Sequence, residues 1–526
     1  MKKENSFVKA GAVLVLSGFV VKVLSAAYRI PLTRMLGANL MGKYSSVLNI
    51  FMPFFAFATA GITPCISRFT AQLNANQDNR GMNSLRKTAF ALYIPISLAM
   101  TACFLLFGRM YSALQQDGIF FYGAVVLAPA IVLAAVETVY KGITQGKMNM
   151  MVTAKANVLE SLVKTGFGLG AVYFIKNCMD SYPADLPVAA CLGAVTVSGM
   201  ICSAYLICAS ARKQPKTALP EKAKTINPKQ LLAMSMPISA SALVASGVSF
   251  FDTAVCLPVI KDIPYQDIVQ SFSGASFMGA GEISMYLYGV YQGMVLTIFN
   301  LVPAVLASVG AAGMPVMTAA YSLKNKKRLS QQADKLFYIT GAVSVPAAVF
   351  IFTFRSDIVQ FLFGTTQAQT QVASQMLAIV VPFGVFSCFI SAFNAVLNAH
   401  GRTETVFKIL LSASVVRCIV SRITCAIPQI NIKAFAVSAA LFYTIIFVAS
   451  IIAVAKSGIK FPFVEALLVP GLTAVLVMLA LDVFTGMALY SLPMALRLIF
   501  SGIIYCLFYL LILLMCSFTV DIQSKK

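Results

Sequence analysis

Apolar runs long enough to cross a bilayer recur from one end of this chain to the other, and that recurrence limits it to very few folds. Cutting the 526-residue sequence at its charged and Pro/Gly-rich connections leaves about fourteen runs of roughly twenty residues. They fall near 7–33, 44–72, 85–108, 118–145, 152–176, 184–210, 229–258, 284–321, 331–354, 371–399, 404–427, 434–456, 462–485 and 492–518. Hydrocarbon offers no partner to a bare N–H or C=O, so such runs become helices. Only 11% of the residues are charged against 59% hydrophobic, where a soluble domain carries about a quarter charged. The expected fold is all-α and polytopic.

The basic residues set the orientation. A net charge of +22 would suit nucleic acid if it were gathered in one domain, but here it is spread over short connections. With the N-terminus inside, the even-to-odd connections are cytoplasmic, and these are the basic ones: Arg68 to Lys87, Lys141 to Lys155, Arg212 to Lys229, Lys324 to Arg328, Arg402 with Lys408, Lys456 with Lys460, and the Lys525–Lys526 tail. The long opposite connection, 259–283, carries Asp262, Asp267 and Glu282 against Lys261. Both termini are therefore expected in the cytoplasm and the protein in the cell membrane. Lys2, Lys3 and Lys9 before an apolar run resemble a signal peptide, but the run exceeds that length and contains Lys22, which suits an uncleaved first helix. The first outer connection breaks the charge rule, with Arg29, Arg34 and Lys43.

An internal repeat is visible at an offset of about 250 residues. Tyr44 to Pro64 parallels Leu287 to Pro315, and Ala128 to Lys147 parallels Val381 to Arg402, each leading into a basic loop. The expected domains are a six-helix bundle over 1–210, a basic cytoplasmic linker over 211–228, a second six-helix bundle over 229–457, and an appended two-helix segment over 458–526. Two even-numbered repeats share one orientation, which implies a pseudo-two-fold axis along the membrane normal and a binding site near the midplane.

No catalytic constellation emerges. His400 is the one histidine, the twelve cysteines form no CxxC pair, and no GxxxxGK[ST] loop is present. An enzyme, a metal site and ATP-driven transport are not expected. What remains is charge inside the apolar runs. Lys22 lies about fifteen residues into the first run, roughly 22 Å along a helix, where a cation costs about 2.5–3.5 kcal/mol unless it faces a cavity or partner. Arg29 is seven residues on and projects from nearly the same face, with Pro31 expected to kink the helix beside them. Arg34 falls off that face and suits snorkelling to headgroups. Lys164 falls opposite Arg417 in the repeat, and both join Lys22 and Arg29 as candidates for a positive cavity wall. Glu137–Lys141 and Glu160–Lys164 have the spacing of i,i+4 pairs, which suits self-neutralising structural pairs. Asp252 lacks such a partner in sequence and could bind a coupling cation or pair with an arginine. Asn49, Tyr288, Tyr291, Gln292 and Asn300 are poor choices for lipid contact; they could hydrogen-bond a headgroup or join helices to one another. The segments "TAGITP" and "GAAGMP" place Gly and Pro where a helix bends or approaches a neighbour.

The stretch "RIPLTRMLGANLMGKYSSVLNIFMPFFAFATAGITPCISRF" resembles the opening of the stage V sporulation protein B and MurJ-like proteins, of the multidrug/oligosaccharidyl-lipid/polysaccharide exporter superfamily, and the likeness extends over essentially the whole chain. It implies a flippase that moves an undecaprenyl-diphosphate-linked cell-wall saccharide, such as lipid II, by alternating access. First-helix cations, matched by Lys22 and Arg29, would neutralise the diphosphate; the appended helix pair would hold the lipid tail; a seventh-helix acid, matched loosely by Asp252, would couple transport to Na+ or H+. No other cofactor is implied. The partners implied are the polyprenyl-linked glycan, membrane lipids and cell-wall synthesis enzymes, with no nucleic acid. The eighth-helix arginine of MurJ-type proteins has no counterpart between Ile283 and Leu323, which leaves room for a different polyprenyl-linked glycan. Two other classes stay open: a cation-coupled drug or metabolite antiporter, which would want acids in the first helix, and a non-transporting scaffold for envelope or spore assembly.

Overall fold

The computed structural model describes residues 2–76, 78–211, 227–272, 283–323, 325–488 and 493–524, almost all of them helical. In chain order the elements are α1 (Lys2–Thr59), α2 (Ile62–Ala75), α3 (Asn79–Gln115), α4 (Ile119–Gly146), α5 (Met150–Cys178), α6 (Leu186–Ala211) and α7 (Pro228–Phe251). A π turn (Asp252–Cys256) leads to α8 (Leu257–Lys261) and α9 (Tyr265–Ser271). Then come α10 (Ile283–Val290), a π turn (Tyr291–Val295), α11 (Leu296–Phe299), α12 (Leu301–Ser322), α13 (Lys326–Thr353), α14 (Arg355–Phe363), α15 (Gln367–Ala399), α16 (Thr403–Cys425) and α17 (Lys433–Ala455). A third π turn (Val464–Leu468) opens onto α18 (Val469–Ala488), and α19 (Met494–Ser524) ends the described chain. The linker expected at 211–228 lies almost wholly outside the described residues.

Among the described residues eleven helices are long and apolar enough to cross a membrane, or twelve if a bent pair counts as one span. Two features separate this from the fourteen expected. The stretch Leu16–Ala75 registers as one span of 60 residues, about 90 Å of helix and three times a bilayer core. And α16 carries Glu404, Lys408, Arg417 and Arg422 and is absent from the eleven.

The breaks in the helices follow from Gly and Pro, though not always at the expected residue. Inside α1 the backbone leaves helical geometry at Gly37 (φ 78°, ψ 171°) and not at Pro31; that φ is open to glycine and strained for other residues. Arg34 and Lys43 are thus helical, and the outer connection expected to carry them is reduced to one residue. "TAGITP" does break, with a turn at Ala60–Gly61. It also approaches a neighbour, since a Cβ on Gly61 would overlap the Ser235 carbonyl of α7. Ile283–Phe299 and Leu301–Met314 meet at 44°, where Pro303 cannot donate to the Phe299 carbonyl. At "GAAGMP", by contrast, α12 runs on unbroken, with Gly310 packed on the Ser391 carbonyl.

The chain divides into two compact units, Met1–Asp262 with Gly281–Gly293, and Ile263–Ala280 with Met294–Lys526. In the first, α4 packs on α2, α3 and α6, while α1 lies against α5, α7 and α10. Its core holds Leu32, Met41, Phe51, Phe104 and Leu127, all essentially inaccessible. In the second, α15 is central, touching α12, α13 and α17, and α18 pairs with α19. Here Phe461 sits in an aromatic nest, its ring 5.2 Å from Phe337, 5.5 Å from Phe389 and Phe393, and 5.8 Å from Phe447; edge-on pairs of this kind add to simple burial. Outward faces are equally apolar: Leu98, Leu106, Met110 and Leu114 line α3 more than half exposed. Water would penalise such a stripe and lipid does not.

Candidate functional site

In the first unit α10 reaches α1 through glycine. A Cβ on Gly289 would overlap the Ala38 carbonyl, and one on Gly42 the Met285 carbonyl; small residues of this kind let membrane helices touch backbone to backbone. Beyond Gly289 the helix widens into the Tyr291–Val295 π turn, whose five-residue spacing re-aims its carbonyls. One of them, Gln292 O, accepts a 2.8 Å bond from the Arg29 guanidinium (Nη2). Thr33, one turn on, donates to the Arg29 carbonyl at 2.8 Å and approaches Gly293 O at 3.3 Å. The Arg29 Nε is buried without a hydrogen-bond partner.

Lys164 of α5 comes to the same place. Its ammonium lies 5.7 Å from the centroid of the Tyr28 ring and within electrostatic reach of Arg29. Further along α5, Lys176 bonds the Met35 carbonyl of α1. Lys22 is partly buried two turns before Arg29, and Arg34 is exposed.

Two other lysines of the first unit each gather a pair of carboxylates. Lys141 of α4 bridges Glu137 at 3.0 Å and Glu160 at 3.1 Å, and Lys43 bridges Asp117 and Asp185, both at 3.0 Å. The expected Glu160–Lys164 pair is therefore not formed: Lys141 reaches across from α4 to take Glu160, while Lys164 turns toward Tyr28. Among the described residues neither Arg29 nor Lys164 forms an ion pair. Glu137, Glu160 and Cys202 each place a ligand atom within 4.8 Å of the others, with the Lys141 ammonium bonded to both carboxylates.

Tyr288 organises the polar residues. Its hydroxyl accepts from the Asn49 amide (2.8 Å) and the Gln292 amide (2.9 Å) and lies 2.7 Å from Thr253 Oγ1. Thr253 Oγ1 donates to Ser249 O at 2.9 Å, so the remaining proton, that of Tyr288, points to Thr253. The Tyr111 hydroxyl closes the set on Thr253 O at 2.7 Å. Asn49, Tyr288 and Gln292 thus tie α1, the Asp252–Cys256 turn and α10 together. Asp252, immediately before Thr253, is buried, as is Tyr291.

The other candidates lie in the second unit. Arg417 of α16 stands 5.4 Å over the Phe442 ring, a cation–π contact, and Asn300 is exposed at the α11–α12 break. An apolar groove of about 440 Å³ runs between α18 and α19, past Leu476, Leu481, Ile504 and Phe508.

Sequence reasoning missed one feature of the first unit, a polar cavity of about 320 Å³ lined by Lys43, Asp117, Lys261 and Ser284. Lys43 and Asp185 are 142 residues apart, and no local pattern links them.

Comparison with known proteins accords with this architecture. The profile described as "Polysaccharide biosynthesis protein" matches residues 7–319 and the MatE profile residues 292–423. Stage V sporulation protein B of Bacillus subtilis (strain 168) is 22% identical over 403 residues, covering 75% of this chain and 73% of that protein. Lipid II flippase MurJ of the same organism is 22% identical over 435 residues, covering 80% and 77%. Among solved structures, lipid II flippase MurJ in an inward closed conformation superposes with a TM-score of 0.72 at 13% identity, over 97% of this chain and all 100% of that one. An inward-facing multidrug resistance MATE transporter of the MOP superfamily gives 0.62 at 16%, over 85% and 97%. The chain is a multi-span membrane protein with the fold of MOP-type transporters, and because the first profile covers more than half its length, it belongs to the polysaccharide biosynthesis protein family.

Proposed function

We propose that this protein is a flippase carrying a polyprenyl-diphosphate-linked saccharide across the cytoplasmic membrane by alternating access. The observation that carries the reading is that Arg29 and Lys164, on membrane-spanning helices, stand outside the ion pairs of the described residues, while Glu137 and Glu160 are bound to Lys141. Two unit charges 4 Å apart attract by about 4 kcal/mol at an effective dielectric of 20, so a diphosphate gains more here than a neutral or cationic solute would. Lys22 extends this wall along α1, and Arg417, held over the Phe442 ring, is a further substrate-binding cation of the second unit. The prenyl tail stays in the bilayer, and the apolar α18–α19 groove has the chemistry to receive it. Asn49, Tyr288 and Gln292 support the wall with buried Tyr291 packed beside them, exposed Asn300 is a saccharide contact, and Asp252 binds the coupling Na+ or H+. In this reading the chain has fourteen spans, two six-helix bundles (1–210 and 229–457) joined by the 211–228 linker and followed by two helices (458–526), with both termini cytoplasmic. Homology to the stage V sporulation protein B and to the lipid II flippase MurJ of Bacillus subtilis supports a lipid-linked substrate.

The test is flipping of a fluorescent polyprenyl-diphosphate disaccharide in proteoliposomes, read by quenching from outside. Arg29→Ala with Lys164→Ala should lose the activity and still elute as a folded, monodisperse protein. Wild-type rates in that double variant would remove the site, and a panel of lipid-linked glycans run in parallel identifies the preferred one.

A further inference from the structure

Lys141 holds two carboxylates where one neutralises it, and Lys164, one turn along α5 from the second of these, holds none. The two carboxylates are not equivalent. Glu137 is fixed, its side chain 4% exposed and bonded to Lys141 within one helix; Glu160 reaches Lys141 from another helix and is 39% exposed. Glu160 also precedes Lys164 by four residues in an unbroken α-helix, the order in which a Glu–Lys pair forms most readily. It lies already within electrostatic reach of Lys164. Moving it there takes only side-chain rotation.

Charge counting gives the move a direction. With Glu160 on Lys141, the Glu137–Lys141–Glu160 set carries −1 and the Arg29–Lys164 pair +2. With Glu160 on Lys164, the first set is neutral and the second carries +1. An arriving anion favours the first arrangement and its departure the second, because net charge is disfavoured in a low-dielectric setting.

Resting on the reading of Arg29 and Lys164 as the diphosphate site, we infer that Glu160 is an exchangeable counter-ion. It is parked on Lys141 while Lys164 holds the anionic headgroup, and it swings to Lys164 to displace that headgroup at release. The structure displays Glu160 on Lys141, the arrangement that leaves Lys164 open to an anion. Glu160 is a positioning residue, and Lys141 is the berth that keeps it off the site.

The experiment uses the full chain in nanodiscs, titrated with farnesyl diphosphate as the probe. Glu160→Gln removes the competitor and should tighten binding by about two- to fivefold, the scale of one weak ion pair, while slowing turnover in the flipping assay. Glu137→Gln leaves Glu160 as the sole carboxylate on Lys141, so it should tighten binding in the same sense. Both effects should vanish in a Lys164→Gln background. If Arg29→Gln and Lys164→Gln leave the affinity unchanged, the diphosphate site itself is wrong. If those two weaken binding but Glu160→Gln binds as wild type does, or tightens equally without Lys164, the exchange is wrong and the site stands.

Discussion

Gly289 meets the carbonyl of Ala38 with no space for a methyl group between them. Gly42 meets the carbonyl of Met285 in the same way one turn further along α1, so α1 and α10 cross at a contact that only glycine permits. Gly289→Ala should therefore destabilise the protein by about 1–3 kcal/mol, the usual range for overpacking, seen as a lower aggregation temperature on size-exclusion of heated samples. Gly247→Ala in α7, which meets nothing within 4 Å, should be neutral or raise it slightly. Equal behaviour of the two variants would mean that the crossing has room for a methyl group.

Tyr288→Phe separates support from substrate contact. Loss of the hydroxyl leaves the Asn49 and Gln292 amides without their acceptor and the Thr253 oxygen without its donor, at a cost of about 1–3 kcal/mol. The variant should unfold earlier in a thermal scan followed by circular dichroism, a suitable probe in a chain with no Trp. Unchanged unfolding with reduced flipping would instead make Tyr288 a headgroup contact.

Lys141→Met leaves Glu137 and Glu160 facing each other across a buried position without their cation. Breaking a buried pair from one side costs about 3–5 kcal/mol, so the variant should express poorly or melt well below wild type. Glu137→Gln with Glu160→Gln in the same chain should restore much of that loss. A Lys141→Met protein of wild-type stability would contradict the bridging geometry.

Arg29→Lys keeps the charge and removes the fork that lets one nitrogen hold the Gln292 carbonyl while Nε stays available. Flipping should fall by about tenfold, with expression unchanged. Full activity would show that position 29 acts as a point charge.

Much of this could be seen in the sequence because the bilayer removes alternatives: length, apolarity and scattered basic loops lead to a helical multi-span protein. The cations of the first run were visible because charge in such a run demands a reason. Other features depended on contacts that no local pattern encodes. Pro31 suggested the kink that Gly37 makes, since proline's missing donor can be read from sequence but a positive φ is set by packing. Glu160 is four residues from Lys164 yet belongs to Lys141, nineteen residues away, because α4 packs on α5 and brings that lysine to it. The Tyr288 set spans separations of up to 239 residues, and only the folded chain brings its members together.

The partner that holds the Arg29 fork is a main-chain oxygen, and this has a genetic consequence. Whatever residue stands at position 292 presents the same carbonyl, so no exchange there abolishes the bond by removing its acceptor. A search for residues that co-vary with Arg29 would not find this acceptor through its side chain, whose own bond is to Tyr288. On the acceptor side, selection reaches this contact through the path of the backbone, at the glycines and the widened turn that bring the carbonyl within range.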